Sequence, residues 1–224
     1  MPGSVRRHHE DVPRLPGRRL VALDAAAARA AWCLPYEDAV AMLDGLGRER
    51  GLGMLDAALA QISGFAPELS TSLRIDVDPA ARSFPESRVR LALRRAGLAA
   101  RAGVVFPGIG EVDLLVEGLL IVELDGYAYH SGRGEYKADR RRDRRALRMG
   151  MPTMRFAYED SDPEAVLDEV REQIEAMNGS PLPFGSRVPS EVRENVLAWR
   201  SGSTQPQFRA CGRAPSRRGR IGGP

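Results

Sequence analysis

Two apolar segments with acidic residues, joined by a short turn, constrain the fold of this chain more than any other feature. The segments are Glu111–Leu115 and Leu119–Asp125, and the turn is centred on Glu117-Gly118. Apolar runs of this length on either side of a glycine turn are typical of a β-hairpin. Burying carboxylates at the end of such a strand costs several kcal/mol unless a partner compensates the charge. The pattern therefore predicts a hairpin that ends in an acidic cluster.

The length of the turn decides which side chains share a face of the hairpin, because side chains alternate along a strand. A two-residue turn at 117–118 would place Asp113 and Glu123 on opposite faces. A three-residue turn at 116–118 places them on the same face and pairs Asp113 with Ile121. It also puts glycine at the end of the turn, where a left-handed residue is needed. We therefore expect the three-residue turn.

In this register one face of the hairpin is apolar, and the other becomes acidic away from the turn. The apolar face comprises Val112, Leu114, Leu120, Val122 and Leu124, and the opposite face comprises Asp113, Leu115, Leu119, Ile121, Glu123 and Asp125. Three carboxylates at one end repel one another unless protons or a divalent cation neutralise them, and their oxygens suit Mg²⁺. The hairpin therefore predicts a Mg²⁺ site formed by Asp113, Glu123 and Asp125. Such a metal can activate water and stabilise a phosphodiester transition state.

The segment 83–97, SFPESRVRLALRRAG, has the signals of a helix. Ser83 is a suitable N-cap, Pro85 suits the first turn, and Gly97 can end the helix. The spacing from Ser83 to Glu86 is that of a capping box, which would make Glu86 purely structural. Alternatively, Glu86 shares the apolar stripe of the helix with Val89 and Leu93 and points towards the interior.

The order of the remaining segments predicts an α/β fold with a mixed sheet. After the helix at 83–97 come three strands, a charged helix at about 135–149, a short strand at 152–158 and an amphipathic helix at about 162–177. We divide the chain into a disordered arm (1–19), a small helical region (20–80), an α/β sandwich (81–178) and a basic disordered tail (179–224). The tail contains eight arginines and two glutamates. Such a basic tail either adds weak, salt-sensitive affinity for nucleic acid or is a disordered terminus without a role.

Composition adds four expectations. No apolar run is long enough to span a membrane, and the first residues lack the apolar core of a signal peptide. Cys33 and Cys211 match no metal or redox spacing, which favours a reducing cytoplasm. A net charge of +3 permits an anionic partner without requiring one. Lys137 is the single lysine of the chain. The large number of arginines therefore reflects a compositional bias, and that number is not evidence of a function.

These segments resemble the PD-(D/E)xK nuclease superfamily, and within it proteins related to the very-short-patch-repair (Vsr-like) endonucleases. The likeness spans residues 84–157 and rests on FPESRVRLAL, GEVDLLV, IVELDGYAYH, DRRRDRRALRMG and MRF, in that order. It implies a restriction-endonuclease-like sandwich that binds DNA and uses Mg²⁺, with Mn²⁺ as an alternative. In that superfamily a helical glutamate and two strand acids surround the metal, and the matching residues are Glu86, Asp113 and Glu123.

The chain departs from the superfamily at Asp125, where a lysine usually polarises the attacking water. Vsr-like members also lack that lysine and use nearby histidines, and His130 matches such a histidine. The resemblance implies that His130 acts as a general base or contacts the scissile phosphate, since its ordinary pKa lies near the working pH. Asp125 would be a third metal ligand or would orient a water.

The helix EYKADRRRDRRALRMG presents either a solvated face of Asp–Arg pairs or a nucleic-acid contact. The resemblance implies more for Arg142, which forms a recurring D-x-x-R pair with Asp139. Arg142 would either meet phosphate or hold the helix against the acidic cluster, and Arg155 on the strand PTMRF is similarly placed. General candidates for DNA backbone contact are Arg140, Arg141 and Arg144.

The leading hypothesis is a Mg²⁺-dependent DNA endonuclease or nickase. A role in DNA repair or in phage defence is implied only by the roles of related families. One alternative is a catalytically degenerate nucleic-acid-binding or antitoxin-like regulator. Another is a phosphohydrolase or RNA nuclease that uses the same acids.

Overall fold

The structure, a computed structural model, describes residues 20–125 and 133–179, with side chains for 20–125 and 140–177. The arm at 1–19, His130 and the tail beyond 179 lie outside the described residues. Within the described part, the chain is a mixed α/β protein. None of its described helices combines the length and the apolarity that crossing a bilayer requires.

Four helices precede the α/β part of the chain. They are α1 (Leu23–Cys33), α2 (Tyr36–Arg50), α3 (Leu52–Phe65) and α4 (Pro67–Asp76). The elements that follow are α5 (Phe84–Arg95), β1 (Ala100–Phe106), β2 (Gly110–Val116), β3 (Leu120–Asp125), α6 (Arg133–Arg148), β4 (Thr153–Ala157) and α7 (Pro163–Gly179). The predicted order of helix, three strands, helix, strand and helix is confirmed.

The four strands form one mixed sheet in the order β1-β2-β3-β4. The first three strands are antiparallel neighbours, whereas β3 and β4 run parallel. A parallel pair needs a crossover connection, and helix α6 lies in that connection. The mixed sheet expected from the order of the segments is therefore present.

The hairpin register is shifted by two residues from the predicted one. Leu115 pairs with Ile121 and Val116 with Leu120, so the turn consists of residues 117–119 and not 116–118. The predicted pairing of Asp113 with Ile121 is wrong, because the same register extended along the strands sets Asp113 across from Glu123. The shift is even, so the predicted sharing of one face is confirmed.

Two left-handed residues and two hydrogen bonds determine this turn. Glu117 has φ of 51° and Gly118 has φ of 66°. The Glu117 amide donates to the Ala99 carbonyl at 2.8 Å, and the Glu117 carboxylate accepts from the Ala99 amide at 2.7 Å. Because a non-glycine residue at positive φ is costly, these bonds to the segment before β1 compensate the strain. They hold the turn one residue later than its glycine alone predicts.

The predicted faces of the hairpin are also corrected at two positions, Val112 of the apolar face and Leu119 of the opposite face. Leu114, Leu120, Val122 and Leu124 pack in one core with α5 and α7, as expected. Val112 instead packs in the opposite core with Phe106, Leu115 and Ile121, and Leu119 lies in the turn. Gly103 lies between the β1 residues that pair with Leu114 and Val112 of β2. Its φ of 63° interrupts the regular alternation of side chains between the two faces of the sheet. That kink accounts for the change of side at Val112.

Helix α5 connects the sheet to the helical region. Its Val89 and Leu93 are fully buried in the sheet core, whereas its Leu91 is buried among α1–α4. Side chains spaced by about 100° around a helix can serve both cores in this way. The helix is therefore fixed from two sides, which also fixes its N-terminus beside the sheet.

A buried ion pair adds to this connection. The Arg90 Nη2 and Asp44 Oδ2 atoms lie 3.0 Å apart, and the two side chains are 0% and 1% exposed. Asp44 Oδ1 also accepts from the amide of Asp78 at 2.6 Å. The pair joins α5 to α2, and removal of one partner would leave an uncompensated charge in the interior.

We predict that Arg90→Met lowers the free energy of unfolding by about 3 kcal/mol or more, because Asp44 would stay buried without its cation. Urea unfolding at neutral pH measures the change. Arg74→Met is the matched control, since Arg74 makes an exposed ion pair with Asp56 at 3.6 Å. The control should change stability by less than about 0.5 kcal/mol. Equal small effects of both substitutions would contradict the prediction.

Candidate active site

A cleft of about 490 Å³ opens at the end of the hairpin that lies away from its turn. One wall is formed at and just before the start of α5, by Arg82, Ser83, Pro85 and Glu86. Asp113 of β2 and Asp125 of β3 contribute carboxylates, and Tyr158 and Ser161 lie between β4 and α7. Four parts of the chain thus bring acidic and polar groups to one depression of the surface.

Asp113 is held by one donor on each carboxylate oxygen. Its Oδ2 accepts from the amide of Leu124 at 2.8 Å, and its Oδ1 lies 2.5 Å from the Arg82 Nη2. The side chain is only 7% exposed. Asp113 therefore bonds both to the neighbouring strand β3 and to the segment that leads into α5.

Glu123 lies beside Asp113 and shares a hydrogen bond with it. Burial, with the negative charge of Asp113, raises the pKa of Glu123 to about 7, while Arg142 and Arg155 oppose this shift. The Glu123 Oε1 and Arg142 Nη2 atoms are 3.4 Å apart. Two carboxyl groups can bond each other only through a proton, and the raised pKa of Glu123 means that this carboxyl group keeps its proton below about pH 7. A cation could replace that proton.

Glu86 combines the two roles that the sequence left open. Its amide donates to the Ser83 Oγ at 3.2 Å, so Ser83 is the N-cap as predicted. Its carboxylate accepts from the amide of Arg82 at 2.8 Å, one residue before the N-cap. It is 4% exposed and lines the cleft, and burial, together with the charge of Asp113, raises its pKa. Glu86 therefore stabilises the helix start and belongs to the acidic cluster.

Asp125 is more exposed than the other acids and has an arginine partner. Its Oδ1 lies 3.7 Å from Arg155 Nη1, and Arg155 Nη2 bonds Asp143 Oδ1 of α6 at 2.7 Å. Among the described side chains, no three of the types His, Cys, Asp and Glu are grouped closely enough to hold a metal ion. The structure thus brings together Asp113 with Glu123, but it does not add Asp125 to form the predicted three-carboxylate set.

Arg142 holds α6 against the sheet. Its Nε donates to the carbonyl of Ile109 at 3.0 Å, and its Nη2 donates to that of Glu111 at 2.7 Å, besides approaching Glu123. Of the two roles considered for Arg142, the contacts match the one that fixes the helix beside the acids. The other predicted nucleic-acid contacts on this helix, which are Arg140, Arg141 and Arg144, are exposed. His130 and the side chain of Asp139 lie outside the described residues.

Arg82 is one of three residues of this site that sequence reasoning missed. Besides its bond to Asp113, its Nη1 lies 3.6 Å from the Glu111 Oε2. In the sequence it is one arginine of many, placed just before an N-cap. Its contact to β2 depends on how α5 packs on the sheet, so no local pattern could have identified it. Tyr158 and Ser161 were missed for the same reason.

No family model, curated protein or solved structure matches this chain.

We predict that Glu123→Gln flattens the dependence of stability on pH. The pKa of Glu123 is raised in the folded protein from its ordinary 4.5 to about 7, so the folded state holds the proton more tightly than the unfolded state. The stabilisation is complete below pH 4.5 and is lost as the pH rises towards 7. The wild type should therefore lose roughly 2–3 kcal/mol between pH 5 and pH 8, and the variant should lose much less.

Urea unfolding with chelator present, at several pH values, checks this expectation. Glu68→Gln serves as the control because Glu68 is an exposed residue of α4. Its curve should follow the wild type. If Glu123→Gln shows the same slope as the wild type, then Glu123 does not hold the proton of the pair.

Proposed function

We propose that this chain is a divalent-metal-dependent nuclease that hydrolyses phosphodiester bonds in DNA, as an endonuclease or a nickase. The observation that supports the proposal best is that the carboxyl groups of Asp113 and Glu123 are buried side by side on one face of the hairpin, beside an open cleft. A protein gains nothing in stability from burying two carboxylates together, so such a pair suggests a function that needs them.

The donor chemistry of the pair fits Mg²⁺, with Mn²⁺ as an alternative. Mg²⁺ in proteins commonly uses one or two carboxylates and completes its shell with waters and substrate phosphates. Asp113 and Glu123 offer two such carboxylates, and the raised pKa of Glu123 indicates that a positive charge is favoured there. When bound, the ion would polarise a phosphate oxygen and lower the pKa of a water.

The other residues of the cleft would then have supporting roles. Glu86 lies near Asp113 and has a raised pKa, so it can accept a proton from a water or hold that water in place. Asp125 faces the cleft without a place in the buried pair, which suits a second contact to water. The role proposed for His130, as general base or phosphate contact, stays a prediction from the resemblance.

The fold and the surface charges agree with DNA as the substrate. The order of α5, the four strands, α6 and α7 supports a restriction-endonuclease-like sandwich. The exposed arginines 140, 141 and 144 on α6, together with the basic tail at 179–224, suit contacts to a phosphate backbone. A cytoplasmic location, with a role in DNA repair or phage defence, belongs to the same proposal, and RNA is the alternative substrate.

We predict that the wild-type protein cuts or nicks DNA in the presence of Mg²⁺ or Mn²⁺. Asp113→Asn should lower the rate of DNA cleavage at least about a hundredfold, because the variant loses a metal ligand. The assay uses supercoiled plasmid, mismatched duplex and single-stranded DNA. Asp56→Asn removes the same charge from an exposed position on α3 and should cut like the wild type. The proposal fails if the wild type leaves all three substrates intact with either metal.

A second candidate is a regulator that binds nucleic acid without cutting it. The observation in its favour is that three acids of the site already have arginine partners, namely Arg82 on Asp113, Arg142 on Glu123 and Arg155 on Asp125. A cluster neutralised by the protein's own cations needs no metal for stability. Filter binding to DNA that is insensitive to chelator, with no cutting under any metal, would favour this candidate over the nuclease.

A further inference from the structure

We propose that Arg82 is an exchangeable counter-ion of the acidic site, which holds Asp113 in the metal-free protein and gives it up to a divalent cation. This inference rests on the proposed function and assigns a positioning role that the sequence did not suggest. The guanidinium would occupy the carboxylate until the cation arrives, and it would then be free to meet the phosphate of the substrate.

The contacts of Arg82 place it in direct competition with a metal ligand. Its Nη2 is 2.5 Å from the Asp113 Oδ1, while the other oxygen of that carboxylate already accepts from the Leu124 amide. A cation that binds Asp113 must therefore share or replace the contact with Arg82. Two positive charges cannot both approach one oxygen closely without repulsion, so binding of the metal should loosen the guanidinium.

The side chain of Arg82 is able to leave, because its remaining contacts are weak. It is 42% exposed, and its second contact is to the 39% exposed side chain of Glu111 at 3.6 Å. A half-exposed ion pair of this kind contributes little to stability. The bond to Glu86 comes from the main-chain amide of Arg82, so the backbone stays in place when the side chain moves.

Arg142, by contrast, is an arginine of this site that is fixed in place by its hydrogen bonds. It donates to two backbone carbonyls of the β1–β2 loop region while it approaches Glu123. Those carbonyl bonds would be lost if it moved. Arg82 has no comparable carbonyl bond among the contacts described for its side chain, which makes it the arginine suited to exchange.

Once released, Arg82 would still line the cleft. Guanidinium groups bind phosphate oxygens in a bidentate manner, and more specifically than an ammonium group does. The same side chain would thus mask an acid before the metal binds and position a phosphate afterwards. This predicts that Arg82 contributes to DNA affinity only when a divalent cation is present.

The test measures Mn²⁺ affinity without DNA, by electron paramagnetic resonance of the free ion. Arg82→Met should bind Mn²⁺ about three- to tenfold more tightly than the wild type, because the competing charge is gone. Arg74→Met is the matched control, since Arg74 is similarly exposed and pairs with a remote carboxylate. It should bind like the wild type. Circular dichroism of each variant confirms that it is folded.

The outcomes separate this inference from the proposed function. If the wild type binds Mn²⁺ and Asp113→Asn does not, while Arg82→Met binds no more tightly than the wild type, the exchange is disproved and the metal site stands. If neither the wild type nor Arg82→Met binds Mn²⁺, both the metal site and the exchange are disproved.

The second readout is DNA binding, which is measured once in Ca²⁺ and once in chelator. Arg82→Met should weaken binding of a short duplex several-fold in Ca²⁺ and leave it unchanged in chelator, since Arg82 is engaged with Asp113 without metal. Arg82→Lys should restore part of the affinity in Ca²⁺, because it keeps the charge but not the bidentate geometry. Equal weakening with and without Ca²⁺ would mean that Arg82 is an ordinary surface contact and would overturn the exchange.

Discussion

The buried contact between the carboxyl groups of Asp113 and Glu123 is the constraint on which the acidic site depends. It exists because the hairpin turn has an odd number of residues, which sets both side chains on one face of the sheet. Burial together with the charge of Asp113 disfavours the ionised form of Glu123, so Glu123 keeps its proton up to about pH 7. The surrounding arginines reduce this cost without removing it, and the site therefore has an affinity for additional positive charge.

The rest of the fold holds that pair in place from three directions. Helix α5, fixed between two cores, brings Glu86 and Arg82 to Asp113. Helix α6 is tied to the sheet through Arg142 and faces Glu123. Strand β4 pairs in parallel with β3 and brings Arg155 to Asp125. Asp113, Glu123 and Asp125 each have an arginine partner from a different part of the chain. Burying charged side chains such as Asp113 and Glu123 destabilises the fold, which is accounted for if these acids have a function.

Local signals predicted much of this arrangement, and tertiary contacts determined the remainder. The hairpin, the shared face of its acids and the Ser83 cap follow from alternation and from capping chemistry, which act over a few residues. The register of the hairpin did not follow, because bonds between Glu117 and Ala99 move the turn. The side of the sheet taken by Val112 depends on the kink at Gly103, and the contact of Arg82 depends on the docking of α5. These features arise between segments that are distant in sequence.

The most direct test of the account is the titration of Glu123 itself, followed by carbon NMR of labelled carboxyl groups with and without Mg²⁺. Without metal, its pKa should lie near 7, as burial and Asp113 require. With saturating Mg²⁺ the pKa should fall by more than about one unit, because a bound cation favours the ionised form. A pKa of Glu123 that does not respond to Mg²⁺ would contradict the claim that this pair is built to receive a metal ion.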